Sequence, residues 1–154
     1  MSALSPPEGF SLFPPDGTFS DAMAPMYYCI DGDGTRWGLL VEQKHSNMMG
    51  MCHGGVLMTL MDYALSAEVC HRLGKFTGTP TISMSFDFLE KAVIGDWIYA
   101  DVEVLKLTNT MGFAQGIVRR QDGTALMRAS GSFKLPKDLA QAAGVTLDEL
   151  LGNS

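Results

Sequence analysis

The chain has 154 residues, of which 46% are hydrophobic and 18% are charged, a balance typical of one globular domain and not of a disordered protein. Its net charge is −6 and its sequence pI is about 4.9. Nucleic-acid binding draws most of its affinity from phosphate neutralisation by clustered Lys and Arg, which this sequence lacks, so no nucleic-acid partner is expected. The longest apolar runs are too short to cross a bilayer, and no membrane partner is expected either.

The three cysteines, Cys29, Cys52 and Cys70, are odd in number, and no two lie at a metal-ligand spacing. This usage predicts a reduced intracellular protein without disulfides and without a metal site. The segment 1–10 has no basic region followed by an apolar one, so it does not resemble a signal peptide. We therefore expect a cytoplasmic protein.

Prolines and glycines interrupt residues 1–19 and predict an irregular arm, after which Ser20 is predicted to cap a short helix through Ala24. Two strands are predicted next, at 26–30 and 35–42. The Asp-Gly-Asp-Gly sequence between them is a strong signal for a tight turn, because glycine accepts the positive φ that such turns need.

Residues 54–73 predict one long helix that is apolar nearly all round, and such a helix is normally buried. Its end is marked by Gly74, which fits the position just past a helix C-terminus. Four strands are predicted to follow, the first with Ile82, Met84, Phe86 and Phe88 on one face. The ranges of these four strands are 81–89, 97–107, 113–121 and 125–135.

The short links between the predicted strands imply antiparallel pairing, because parallel neighbours need long crossovers. The predicted fold is therefore α+β, with a curved antiparallel sheet wrapped around one long central helix. In the tail, Thr146 and Glu149 form the pattern of a capping box and predict a last helix. The predicted units are an arm with a short helix at 1–25, a core domain at 26–135 and a helical tail at 136–154.

Asp62 is a carboxylate in the middle of the most apolar predicted helix. An ionised carboxylate there costs several kcal/mol unless it is solvated, paired or hydrogen-bonded. Thr59 and Ser66 lie three residues before and four residues after it, so the three share one helix face. This polar stripe predicts either a general base or nucleophile in a cleft, or a structural carboxylate satisfied by neighbouring hydroxyls.

Gly54 and Gly55 open the helix, where first-turn N–H groups have no partner within the helix and point outward with the positive end of its dipole. They are suited to hold a thioester carbonyl or a developing oxyanion, although two glycines also allow a tight turn into the helix. His53 is more consistent with fixing this loop than with general-base catalysis. Cys52 lacks a third orienting group, which argues against a Cys–His nucleophile.

The sequence NMMGMCHGG at 47–55, followed by Asp62 seven residues after Gly55, resembles the signature of phenylacetyl-CoA-type thioesterases. These belong to the hotdog superfamily, as do the related 4-hydroxybenzoyl-CoA thioesterases. The wider pattern fits about residues 26–135. The resemblance implies the hotdog fold and an acyl-CoA thioesterase that hydrolyses a thioester to free acid and coenzyme A. No cofactor is expected, since coenzyme A is part of the substrate.

The resemblance also implies roles for matching residues. Gly55 is expected to polarise the thioester carbonyl through its N–H, with help from the Asn47 amide. Asp62 is expected to act as base or nucleophile, and Thr81 to position the attacking water. The remaining residues expected to contact substrate are His53, Gly54, Thr59 and Ser66.

Two alternative functions were considered for this sequence. One is a hotdog dehydratase or hydratase, and the other is a non-catalytic acyl-CoA-binding module. The first uses an Asp–His pair on a motif that is absent here. The second is found in regulators with an attached DNA-binding domain, for which the chain offers neither a helix-turn-helix nor basic charge. The acyl group and its carrier, coenzyme A or acyl carrier protein, stay open. The aromatic residues predicted to fill the core, and not an aryl pocket, are Phe13, Tyr27, Tyr28, Phe86 and Trp97.

The spacing along the helix favours a site shared between two chains. Gly55 and Asp62 are separated by seven residues, or about 10 Å of helix rise. One helix cannot easily bring both groups to one carbonyl, whereas an antiparallel helix from a symmetric partner can. Hotdog relatives form dimers of this kind by joining their sheets edge to edge. We therefore expect a homodimer with shared sites, or a tetramer built from such dimers.

Overall fold

The computed structural model describes residues 5–152, so residues 1–4 of the predicted arm and residues 153–154 of the predicted tail lie outside the described part. One long helix lies against a seven-stranded sheet. The elements in chain order are β1 (Ser11–Leu12), α1 (Ser20–Met23), β2 (Met26–Asp31), β3 (Gly34–Leu40), a 3₁₀ turn (Gln43–His45), α2 (Gly54–Leu73), β4 (Lys75–Thr77), β5 (Thr81–Phe88), β6 (Trp97–Leu107), β7 (Met111–Arg120), β8 (Ala125–Lys134), β9 (Gly144–Thr146) and α3 (Leu147–Leu151).

The large sheet has the strand order β1-β2-β3-β6-β7-β8-β5, and every neighbouring pair is antiparallel. Strand β5 pairs with β8 and forms one edge of this sheet. The two strands, the long helix and the four later strands predicted from the sequence are all present. The α+β prediction, with one central helix on an antiparallel sheet, is confirmed.

The central helix α2 is buried by strands β3, β5, β6, β7 and β8, all of which contact it. Leu60, Met61, Ala64 and Leu65 are fully buried along it. Each large apolar side chain buried in this way contributes roughly 1.5–3 kcal/mol of transfer free energy. Gly74 ends the helix with a φ of 78°, and its N–H reaches carbonyls of the last turn, as the sequence predicted.

One local prediction, the Ser20 cap, is corrected by the structure. Ser20 does not cap α1, because Phe19 occupies the cap position without a side-chain bond and the Ser20 hydroxyl donates to Asp16 Oδ1 at 2.9 Å. The apolar face predicted for β5 is buried only in part, since Ile82 and Phe88 remain 55% and 54% exposed at its two ends. An edge strand with apolar ends leaves a surface that another element can cover.

Three short strands were not predicted, and they attach both terminal segments to the core. Strand β1 of the arm pairs with β2, and β9 of the tail pairs with β4 directly after α2. The predicted capping box of α3 is confirmed, because Thr146 Oγ1 accepts from the Glu149 N–H and Glu149 Oε2 accepts from the Thr146 N–H. Within residues 5–152, no helix is both long and apolar enough to cross a bilayer.

Candidate active site

Asp62 lies half-buried on α2 and opens onto a cleft of about 590 Å³. The Thr81 hydroxyl, at the first residue of β5, donates to Asp62 Oδ1 at 2.6 Å. The second oxygen, Oδ2, has no hydrogen bond to any residue from 5 to 152. The carboxylate is therefore held at one oxygen and available to a water or a substrate at the other.

The cleft has a polar side and an aromatic side. On the polar side the Ser66 and Thr79 hydroxyls are 2.7 Å apart, and Thr79 is buried. The predicted stripe of Thr59, Asp62 and Ser66 is only partly brought together there. Thr59 does not line the cleft, because its hydroxyl donates to the Gly55 carbonyl at 2.8 Å. The aromatic side is formed by Trp37, Tyr63 and Phe76.

The N-terminus of α2 is capped by His53, whose Nδ1 accepts from the Gly55 N–H at 2.9 Å. This side chain fixes the turn into the helix, in line with the role favoured from the sequence. The N–H that was expected to polarise the carbonyl is therefore engaged. The neighbouring Gly54 N–H has no acceptor in the part of the chain that the structure describes. A Cβ at Gly54 would lie 3.1 Å from the Phe88 ring, so this glycine also permits close packing.

Asn47 is oriented by the backbone of its own loop. Its Oδ1 accepts from the N–H groups of Met49 and Met51 at 2.9 and 3.2 Å. Because the oxygen is used in this way, the Nδ2 group is the outward donor, and it has no acceptor among residues 5–152. The predicted donor is thus available to a substrate carbonyl.

The Asp62 cleft and the start of α2 are separate in a single chain. Gly54 lines a second cavity of about 460 Å³ with Met51, Leu57 and Phe88 among its walls. No residue lines both cavities. The described chain therefore presents a carboxylate at one opening and backbone donors at another, which agrees with the helix-rise argument made from the sequence.

A buried histidine supports this region. His45 is 1% exposed, its Nδ1 accepts from the Glu42 N–H at 2.9 Å, and its Nε2 donates to the Met23 carbonyl at 3.1 Å. Burial lowers the pKa of His45, which favours the neutral ring that this bonding requires. Its carbonyl also accepts from the His53 N–H, so it ties the loop to the start of α2. His45 was not predicted from the sequence as part of this region.

Comparisons with known proteins decide the family. A family model described as the thioesterase superfamily matches residues 49–127. A Pseudomonas aeruginosa protein that carries the name putative esterase is 32% identical over 137 residues, covering 86% of this chain and 99% of that protein. This chain belongs to the thioesterase superfamily. The prediction of an enzyme that hydrolyses thioesters is confirmed at the level of the superfamily.

Two further likenesses agree with this thioesterase-superfamily assignment. The acyl-coenzyme A thioesterase 13 of Mus musculus is 34% identical over 77 residues, which cover 48% of this chain and 52% of that protein. The crystal structure of zebra fish thioesterase superfamily member 2 has a TM-score of 0.71 at 22% identity, covering 79% of this chain and 88% of that one. The second likeness confirms the hotdog fold.

The superfamily match includes Asp62, the His-Gly-Gly triplet and Thr81, whereas Asn47 precedes it. The roles of these residues remain predictions. Thr79 and the aromatic side of the cleft were not predicted from the sequence. Trp37 and Thr79 reach the cleft from segments that are distant from Asp62 along the chain. Within residues 5–152, no group of three or more His, Cys, Asp or Glu side chains is arranged to hold a metal ion.

Cys52 is expected to be chemically inert. Burial, with a smaller contribution from the negative charge of Asp96, raises the pKa of this thiol to about 11. Only about one in ten thousand Cys52 thiols is then ionised at neutral pH. We expect iodoacetamide at pH 8 to label Cys52 at least about tenfold more slowly than half-buried Cys29, measured by peptide mass spectrometry.

The same pKa predicts a change of stability with pH. The folded pKa of Cys52 lies above the unfolded value of about 8.5, so its contribution to stability is complete below that pH. This contribution is lost as the pH rises through about 11. Above about pH 8.5, the unfolding free energy of Cys52→Ala should therefore fall less steeply with rising pH than that of the parent. Rapid labelling of Cys52 at neutral pH, or loss of thioester hydrolysis in the variant, would contradict the inert role.

Proposed function

We propose that this chain is an acyl-CoA thioesterase, which hydrolyses an acyl-CoA to the free acid and coenzyme A. The observation that carries the proposal is the Asp62 carboxylate, which lines the cleft from the central helix with Oδ1 held by Thr81 and with Oδ2 free of hydrogen bonds to residues 5–152. A half-buried carboxylate on an apolar helix is costly to keep in a protein that only binds its ligand, which favours hydrolysis over a non-catalytic module.

In the proposed reaction, Asp62 either takes a proton from the attacking water or attacks the thioester carbon itself. If Asp62 acts as base, the tetrahedral intermediate collapses to the free acid, the C–S bond breaks and Asp62 passes the proton taken from water to the departing coenzyme A sulfur. If Asp62 acts as nucleophile, breaking the C–S bond leaves an anhydride between Asp62 and the acyl group; a water then hydrolyses this anhydride, which releases the acid, restores the carboxylate and supplies the proton for the coenzyme A thiol. The Thr81 hydroxyl uses its only hydrogen on Asp62 Oδ1, so its lone pairs remain available to accept from a water. We assign it the positioning of that water.

Polarisation of the thioester carbonyl is assigned to the Asn47 amide and the first-turn N–H groups of α2. Gly55 was the expected backbone donor, but its N–H is bonded to His53 Nδ1. We therefore propose Gly54 N–H as the first donor, with Gly55 taking part if the His53 ring releases it. Donors fixed in advance stabilise the developing oxyanion without having to reorganise during the reaction.

We propose that each site is completed by a second copy of the chain. Asp62 and Gly54 line different cavities. Two antiparallel helices related by a two-fold axis would bring Asp62 of one copy to Gly54 of the other, and to Asn47 in the loop before that helix. Joining two sheets through the edge strand β5 would also cover Ile82 and Phe88. A dimer is the minimal unit, and a tetramer of two such dimers preserves the same sites.

The proposal also covers substrate contact by Ser66, the absence of a cofactor and the cellular compartment. Ser66, paired with buried Thr79 beside the cleft, is assigned a contact with substrate, whereas the Thr59 hydroxyl is used within the helix. Because coenzyme A enters as part of the acyl-CoA substrate and leaves as a product, the proposed reaction uses no cofactor. The free thiols of Cys29, Cys52 and Cys70 fit a reducing compartment, and we place the protein in the cytoplasm.

A hydrolysis screen tests this proposal. Purified protein is given short, medium, long and aromatic acyl-CoAs, with release of free thiol as the readout and acyl carrier protein thioesters as the comparison for the carrier. At least one acyl-CoA should be hydrolysed with saturation kinetics and a rate proportional to protein concentration. Binding of acyl-CoA without thiol release would instead support a binding module, and altered acyl groups still attached to coenzyme A would support a hydratase.

Thr81→Val should lower kcat by about tenfold and change KM little, because the variant keeps the shape of the side chain and deletes the hydroxyl assigned to water. Ser83→Ala is the matched control: it removes a hydroxyl from the same strand, at a residue that does not line the cleft. Steady-state kinetics on the best acyl-CoA compare the two variants. A change confined to KM would assign Thr81 to substrate contact or packing, and not to water.

A further inference from the structure

The Asp62 cleft is bounded on one side by aromatic rings. Trp37 and Tyr63 form a continuous aromatic wall there, with ring centroids 5.6 Å apart and planes tilted by 33°. Trp37 comes from β3 and Tyr63 follows Asp62 on α2. An acyl chain attached to a carbonyl near Asp62 has this wall as its apolar neighbour. The position of the wall therefore sets how far a chain can extend in its direction.

The Trp37 ring is held by packing alone. Its indole Nε1–H is buried and finds no hydrogen-bond partner among the described residues, although buried indole N–H groups usually have one. Three rings surround Trp37: Tyr63, Tyr28 at 5.7 Å and Phe13 at 5.4 Å between centroids. Because no hydrogen bond anchors the indole, its place depends on the rings behind it.

Phe13 comes from the N-terminal arm, to which the sequence assigned no role. The arm is attached to the sheet, since β1 pairs with β2 and the Phe13 N–H donates to the Met26 carbonyl at 2.8 Å. This attachment brings the Phe13 ring within 6.2 Å of Tyr63 and 6.0 Å of Tyr28, in addition to its contact with Trp37. Phe13 does not line the cleft, so it acts on the cleft through the wall.

We propose that Phe13 of the N-terminal arm is the residue that determines acyl-chain length, because it packs against Trp37 and Tyr63 and holds this aromatic wall of the Asp62 cleft in place. This inference rests on the proposed thioesterase function. Truncating the ring leaves unfilled space behind two wall residues, one of which has no hydrogen bond to keep it in place. The wall then retreats and admits longer acyl chains, while the polar groups around Asp62 are unchanged.

Phe10 provides a matched control on the same arm. Its ring packs edge-on against Trp97 at 5.3 Å, and neither residue lines the cleft. Phe10→Ala therefore removes the same aromatic volume from the arm without touching the wall. If the arm acted only by stabilising the fold, Phe10→Ala and Phe13→Ala would alter hydrolysis in the same way.

The test measures kcat/KM for linear acyl-CoAs of increasing length with the parent, Phe13→Ala, Phe13→Leu and Phe10→Ala. In Phe13→Ala the ratio of long-chain to short-chain kcat/KM should rise by about tenfold, since a few methylenes in an apolar pocket discriminate on this scale. Phe13→Leu should shift the ratio in the same direction by less, and it decides the matter if Phe13→Ala does not fold. Phe10→Ala should keep the parental ratio.

The outcomes separate this inference from the proposed function. If the parent hydrolyses acyl-CoAs and the length ratio in active Phe13 variants equals the parental one, the inference is overturned and the function stands. If the parent hydrolyses none of them, the function fails, and the same ligands are compared by titration calorimetry. A shift of binding preference to longer chains in Phe13→Ala then supports the inference, whereas an unchanged preference, or no binding at all, overturns it.

Discussion

Asp62→Asn should retain the fold and lose about 100-fold or more of kcat on acyl-CoA. Asparagine is nearly isosteric and its oxygen still accepts the Thr81 hydroxyl, so the contact seen at 2.6 Å can persist. The amide cannot take a proton from water and is not a carboxylate nucleophile. Steady-state thiol release measures the loss, and thermal unfolding measures whether the fold is intact.

Asp87→Asn is a suitable control for this variant. Asp87 lies on β5 and pairs with Arg128 at 2.7 Å on an exposed surface, away from the Asp62 cleft. Exposed ion pairs contribute little, so this substitution should leave both kcat and stability close to parental. Equal hydrolysis by Asp62→Asn and the parent would remove Asp62 from the reaction. A large loss of stability would instead identify it as a structural carboxylate.

Mixed dimers test whether the site is shared. Asp62→Asn lacks the carboxylate, and Asn47→Ala lacks the amide that donates to the substrate carbonyl. Each homodimer should therefore be inactive or nearly so. In a mixed dimer one site combines both defects and the other has neither. Random exchange of equal amounts gives half mixed dimers, each with one working site, and therefore up to about a quarter of parental activity.

The mixed-dimer experiment requires proof that the subunits exchange. Subunit exchange is followed with differently tagged chains, and activity is measured after exchange is complete. Asp62→Asn mixed with a second chain carrying the same substitution should recover nothing, because no combination of these chains restores the carboxylate. Absence of recovery in the Asp62→Asn and Asn47→Ala mixture, despite demonstrated exchange, would place the whole site within one chain.

The fold was predictable where hydrophobic periodicity is long. Helix α2 has a largely apolar sequence with a glycine just past its end, and both of its bounds match the prediction. Strands β1, β4 and β9 have only two or three residues, and their pairing depends on partners distant in sequence. So short a segment carries too few residues for a pattern to be recognised. Ser20 was predicted as a cap from its residue type alone, but its hydroxyl donates instead to the nearby carboxylate of Asp16.

The site was predictable in its charged member and less so in its neighbours. Asp62 was identified as a carboxylate in the middle of an apolar helix, whereas Thr81 was expected only from the family resemblance. Sequence spacing could not reveal that His53 engages the Gly55 N–H, because both capping and substrate polarisation are consistent with the same Gly-Gly pair. Trp37 reaches the cleft from β3, and a tryptophan in a strand is typical of any core.

The most direct measurement of the central claim is the product balance for the best acyl-CoA, made in parallel with the parent and with Asp62→Asn. Free coenzyme A is measured through its thiol, and free acid by mass spectrometry. The parent should release the two products in equal amounts at a rate proportional to enzyme concentration, and Asp62→Asn should release neither above about one hundredth of that rate. Consumption of the thioester without equal release of thiol and acid, or equal rates with both proteins, would contradict hydrolysis through Asp62.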